Sequence, residues 1–136
     1  MIILYVEDNA DDVLFFTRSL KKIHPAGQCR VVTSFHDSKC YLVGEGTYKD
    51  RKQYPFPTLV IATAKLPEGK GLDVLRWAHS RPELSRLPFC IFDDMPEHLR
   101  EPLPDPTRQR YFEKPSSLRE WPLILQQILT WSETCR

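Results

Sequence analysis

The stretch Ile2-Ile3-Leu4-Tyr5-Val6-Glu7-Asp8-Asn9 decides the fold. Its five consecutive apolar residues leave no polar face. A strand of that kind must be covered on both sides, as in a parallel sheet with helices above and below. The run stops at an acidic pair, and Asn9 is suited to cap a helix whose first turn holds Asp11 and Asp12, acids that the helix dipole favours. Val13, Phe16, Leu20 and Ile23 then recur at helical spacing, with Arg18, Lys21 and Lys22 on the other side. Strand, acidic turn and amphipathic helix form the first unit of an alternating α/β chain.

The alternation continues outward. Cys29 to Thr33 predicts a second strand, and Asp37 to Val43 a short helix stopped by Gly44 and Gly46. Glu45 to Pro57 reads as a polar loop. Thr58-Leu59-Val60-Ile61-Ala62 is another solid apolar run, hence a third strand, and the turn Leu66 to Gly71 leads into a helix with Leu72, Leu75 and Ala78 on one face. Pro88 to Phe92 and Arg110 to Glu113 predict strands four and five. The closing helix presents Trp121, Ile124, Leu125, Ile128 and Leu129. Pro96, Pro102, Pro104 and Pro106 confine any helix between the last two strands to Pro96 to Glu101, because proline removes a helical N–H and clashes with the preceding turn. Pro122 belongs either in the first turn of the closing helix or after a capped turn at Ser117. Five strands so interleaved imply a doubly wound parallel sheet, whose site lies beyond the carboxyl ends of the strands. Those ends are Glu7-Asp8-Asn9, Thr63-Ala64-Lys65, Asp93-Asp94 and Lys114-Pro115.

Composition narrows the function. With 136 residues, 41% of them hydrophobic, and a net charge of +1, the expectation is one domain over 1–136 with no output domain. No apolar run approaches the roughly 20 residues of a membrane span, and the acidic start is unlike a signal peptide, so a cytoplasmic protein is expected. Near-zero charge argues against nucleic acid; Lys49, Arg51 and Lys52 are interrupted by Asp50. Cys29, Cys40, Cys90 and Cys135 form no metal-binding spacing and are expected to be reduced. His24, His36, His79 and His98 fall on separate segments and are expected at the surface, and Trp77, Trp121 and Trp131 are expected to pack. A small doubly wound enzyme or nucleotide-binding protein is opposed by the absence of GxGxxG after a strand and of GxxxxGK[ST]. A non-enzymatic role is expected.

The segments ILYVEDNADD, LVIATAKLPEGKGLDVL, LPFCIFDD and YFEKP together resemble a response-regulator receiver domain, over nearly the whole chain. With VGEGTYKDRKQYPFPTLVI, the wording is most similar to stand-alone receivers that partner phytochrome-type histidine kinases. The resemblance implies a flavodoxin-like fold of strand order 2-1-3-4-5, with helices on both faces. It assigns Glu7 and Asp8 to the acidic pocket that holds Mg²⁺ with the backbone carbonyl of Lys65. It makes Lys114 a phosphate-site residue and Tyr111 the switch aromatic. Two positions depart from the pattern. Thr63 stands where the phosphoacceptor aspartate belongs, and Asp93 where a threonine or serine binds the phosphoryl group. A threonine hydroxyl is a poor nucleophile without a base and would give an ester instead of an acyl phosphate.

The resemblance therefore implies a single-domain, phosphorylation-independent pseudo-receiver of a two-component or phosphorelay system, acting through protein partners. The alternative is a phosphorylatable receiver that uses Asp93 or Asp94. Mg²⁺ is expected to bind weakly, one carboxylate being lost. The partner, a histidine kinase or downstream regulator, is expected on the face made by strand four, the Pro-rich segment, strand five and the last helix. Ile124, Ile128 and Trp131 are expected to form an outer apolar stripe there, suited to a homodimer. Asp93 and Lys114 are expected to form an ion pair, since burial disfavours an unpaired ammonium.

Overall fold

The computed structural model describes residues 1–135. In order, the elements are β1 (Ile2–Val6), α1 (Ala10–Ile23), β2 (Gln28–Val32), α2 (Phe35–Val43), β3 (Leu59–Ala62), β4 (Lys65–Leu66), β5 (Gly69–Lys70), α3 (Gly71–His79), β6 (Phe89–Phe92), β7 (Gln109–Phe112) and α4 (Trp121–Glu133). The main sheet has order β2-β1-β3-β6-β7 and every pairing in it is parallel. This is the expected 2-1-3-4-5 arrangement, with β4 and β5 added as a two-residue antiparallel hairpin in the turn after β3.

Alternation along each strand sorts the core into two layers. Leu4, Val6, Val60, Ala62, Phe89 and Ile91 pack under α2 and α3, while Ile3, Tyr5, Leu59, Ile61, Cys90 and Phe92 pack under α1 and α4. The solid apolar runs are thus explained by burial on both faces: Ile3 to Val6 and Leu59 to Ala62 are all 0% exposed. Among the described residues no helix is long and apolar enough to cross a membrane.

Local chemistry sets the helix ends. The Asn9 side chain accepts the Asp12 N–H at 3.0 Å, the cap that the sequence predicts. Ser34 likewise accepts the Asp37 N–H at 3.1 Å, so α2 starts at Phe35, two residues earlier than expected. Gly44, with φ at 71°, closes it in the left-handed conformation. Between β6 and β7 the prolines leave only a three-residue turn, Glu97–Leu99, and the remainder is irregular. Pro122 lies in the first turn of α4, after a separate short turn at Leu118–Glu120, and Ser117 gives no side-chain cap.

Two expectations are overturned. The outer apolar stripe does not exist: Ile128 is fully buried and Trp131 is 9% exposed, its ring 5.5 Å from Phe112. The buried face of α4 is broad enough to take Trp121, Leu125, Ile128, Leu129 and Trp131 together, because a core-facing helix buries more than a two-position seam. At α4 the exposed leucine is Leu123, and just before the helix Leu118 is exposed as well. Nor are all the histidines superficial. His24 and His79 are half-buried, and the His79 ring lies 3.3 Å from the buried Gln109 amide.

Candidate functional site

The carboxyl ends of β1, β3 and β7 converge on one ammonium group, and the end of β6 joins them through Thr63. Glu7 leaves β1 turned inward and is 2% exposed, whereas Asp8 points to solvent. Thr63, directly after β3, is 4% exposed. Lys114 follows β7, and its Nζ donates to Glu7 Oε1 at 2.6 Å, Asp12 Oδ2 at 2.8 Å and Thr63 Oγ1 at 3.1 Å. The Thr63 hydroxyl in turn donates to Asp93 Oδ2 at 3.1 Å, and the same carboxylate oxygen accepts the Ala64 N–H at 2.9 Å. A continuous chain of hydrogen bonds therefore runs from α1 and the end of β1, through Lys114 and Thr63, to the end of β6.

Each link has a local cause. Glu7 Oε2 accepts the N–H groups of Asp8 and Asn9 at 3.1 and 3.3 Å, donors freed where β1 ends and α1 begins. Tyr5, stacked on Phe16 at 4.0 Å, donates its hydroxyl to Glu7 Oε1 at 3.4 Å; burial, then Glu7, pushes its pKa upward. Asp12 lies in the first turn of α1 and so overhangs the strand end. Gly71 lets α3 start against Thr63. A Cβ there would stand 2.1 Å from the Thr63 carbonyl oxygen, and the Gly71 N–H donates to Ala64 O at 3.0 Å.

Electrostatics follow from this packing. Burial works against the charge of Lys114, but Asp12 and Glu7 outweigh it and hold its pKa above the ordinary lysine range. Burial pushes the Glu7 carboxyl up, against the pull of Lys114 and the Asn9 N–H. For Asp93, burial is outweighed by the Asp94 carboxyl, the Ala64 and Asp94 N–H groups and the Lys114 charge, and its pKa lies below the usual carboxylate range.

The structure brings together Glu7, Thr63, Asp93 and Lys114, as the strand ends predict, and leaves Asp8 outside. The expected Asp93–Lys114 ion pair is not formed. Among the described residues the carboxylates within 4 Å of Lys114 are Glu7 and Asp12, and the Thr63 hydroxyl stands between Lys114 and Asp93. Asp12 is the member that sequence reasoning missed. It reads as an ordinary first-turn acid, and only its position one turn after Asp8 hints at the overhang.

The metal assignment also meets an obstacle. Lys65, whose backbone carbonyl is the expected ligand, lies in the β4–β5 hairpin opposite Lys70, Asp8 is exposed, and Glu7 is committed to Lys114 and two backbone N–H groups. Among the described residues no three acidic, histidine or cysteine side chains converge as a ligand set. Mg²⁺ wants six oxygens in near-octahedral array. The residues present do not fit it.

Tyr111 lies on β7, away from this chain of contacts. It is half-buried, donates its hydroxyl to the Glu101 carbonyl at 2.8 Å and has the Arg100 guanidinium 5.3 Å from its ring centroid. Beside it Leu72, Ile91, Met95 and Leu99 line a cleft of about 250 Å³, with Lys65 and Lys70 at its edge.

No family model matches the sequence, and no curated protein matches it. Solved structures do. The phosphorylated cyanobacterial phytochrome response regulator RcpA superposes with a TM-score of 0.79 at 22% identity, covering 98% of this chain and 94% of that one. Response regulator RPA3017 of red-light signalling in R. palustris gives 0.78 at 19% identity, over 96% and 90% of the two chains. The Mn²⁺-bound form of response regulator Rcp1 gives 0.76 at 22% identity, over 98% and 95%. The chain has the flavodoxin-like fold of response-regulator receiver domains, phytochrome response regulators among them.

Proposed function

From that fold, we propose that the protein is a pseudo-receiver: a response-regulator-like signalling protein that works without phosphorylation and acts by binding other proteins. One observation carries this reading. At the end of β3, where a receiver offers a carboxylate, the chain offers the Thr63 hydroxyl, 4% exposed and held between Lys114 and Asp93. Asp93 accepts its proton, which is base-like geometry, but the product of attack would be a phosphoester lacking the lability of an acyl phosphate. No in-line approach is open to a hydroxyl so covered.

The test is intact-mass spectrometry after incubation with acetyl phosphate and Mg²⁺. The expected result is an unchanged mass. A hydroxylamine-sensitive gain of one phosphoryl group would overturn the reading in favour of a carboxylate acceptor, with Asp93 and the exposed Asp94 the first positions to map.

The partner, a histidine kinase or a downstream regulator, is assigned to the face of β6, the Pro-rich segment, β7 and α4. Exposed Leu99 and the cleft beneath Tyr111 support that choice. A homodimer through this face would use Leu123 instead of Ile128 and Trp131.

A further inference from the structure

We propose that Lys114 is the resident cation of the acidic site, taking the role of a divalent metal, so that the site neither needs a metal nor admits one while the lysine is seated. The proposal goes beyond the absence of phosphorylation, since a site that cannot be phosphorylated is still free to bind a metal.

An ammonium group has three N–H donors and no acceptor. Here all three are used, at 2.6, 2.8 and 3.1 Å, on acceptors from β1, α1 and the end of β3. Such a group does structurally what a bound cation does: it draws two like-charged carboxylates and a strand end to one point. The Lys114 side chain is 15% exposed, so a competing ion would have to reach Glu7 past it.

Once there, the ion would find Glu7 Oε2 taken by two backbone N–H groups and Oε1 taken by the ammonium. It would also meet a positive charge at contact distance, whereas Mg²⁺ and Mn²⁺ surrender their water only to well-arranged oxygens. Asp8 and Asp94 keep the surroundings negative, but both are exposed and draw cations only diffusely. The donor set has been closed from inside by a covalently tethered charge.

Lys114→Met keeps the length of the stem and removes the charge. Mn²⁺ titrations followed by electron paramagnetic resonance in physiological salt compare it with the parent. The parent is expected to leave the free-ion signal intact through the sub-millimolar range. The variant is expected to bind Mn²⁺ at least roughly tenfold more tightly, since Glu7 and Asp12 then lose the cation they share among the described residues.

Tight binding by the parent, or no gain in a folded variant, would overturn the proposal. If Lys114→Met fails to fold, the parent decides by ¹⁵N NMR of lysine side chains. The three hydrogen bonds should slow exchange enough for the Lys114 ammonium to be seen, and millimolar Mg²⁺ should not move it. A resonance that shifts or vanishes on adding Mg²⁺ would sink the assignment. Metal binding by the parent would leave the phosphorylation question untouched, and acetyl-phosphate labelling would not by itself unseat Lys114.

Discussion

Asp93 joins β6 to Thr63 and Ala64, and its charge is favoured by the folded state. Since its folded pKa lies below the ordinary aspartate value of 3.8, it contributes stability that is present above that value. The contribution is lost as pH falls through the lower folded value. Asp93→Asn should therefore flatten the acid limb of the stability curve. Urea midpoints measured between about pH 3 and 6 should converge for parent and variant toward the acid end. Near neutrality the variant should be weaker by about 1–2 kcal/mol, the worth of charge-assisted hydrogen bonds to Thr63 and Ala64. Parallel curves across the whole range would mean that Asp93 is not ionised against these donors.

At the scale of elements, the passage from β3 to α3 fixes Thr63 in place. Pro67 and Glu68 turn the hairpin, and Glu68 occupies the left-handed region with φ at 67°. Gly71 then brings the helix start against the Thr63 carbonyl. Gly71→Ala places a methyl where no atom fits and should cost at least about 3 kcal/mol in a denaturant melt, backbone having to move on one side or the other. Glu68→Gly should do the opposite and gain up to about 1 kcal/mol by relieving the positive φ. The elements themselves were legible in the sequence for a simple reason: strands buried on both faces are solid apolar runs, and the Pro-rich stretch forbids a long helix. The partners of Lys114 were not legible. Which carboxylate an ammonium meets depends on the direction in which Glu7 and Asp8 leave β1, one inward and one outward, and on how far α1 overhangs the sheet. The buried face of α4 was obscure for a related reason, because Ile124, Ile128 and Trp131 leave the helix apolar over most of its circumference.

For the whole molecule, α4 and β7 close one end of the sheet, and their burial separates packing from docking. Ile128→Glu forces a charge into a fully buried position and should cost about 4 kcal/mol or more, a large share of the 5–15 kcal/mol that holds a domain together. Leu123→Glu, at a position 65% exposed, should stay within about 0.5 kcal/mol of the parent in the same urea melts. Equal losses at the two positions would contradict the placement of α4.

At the other end of the sheet, β2 pairs among the described residues only with β1, which leaves a row of backbone donors and acceptors along its outer side. Val31 on that strand is 37% exposed, and Arg30 extends its guanidinium to the Gln53 carbonyl, 3.3 Å away in the long loop before β3. The loop is therefore tethered to the outermost strand, and a mid-strand arginine guards it. An open edge without such a guard is a template for strands of other molecules. The Arg30 charge, held on that edge by the loop between α2 and β3, is the kind of feature that disfavours such edge-to-edge pairing.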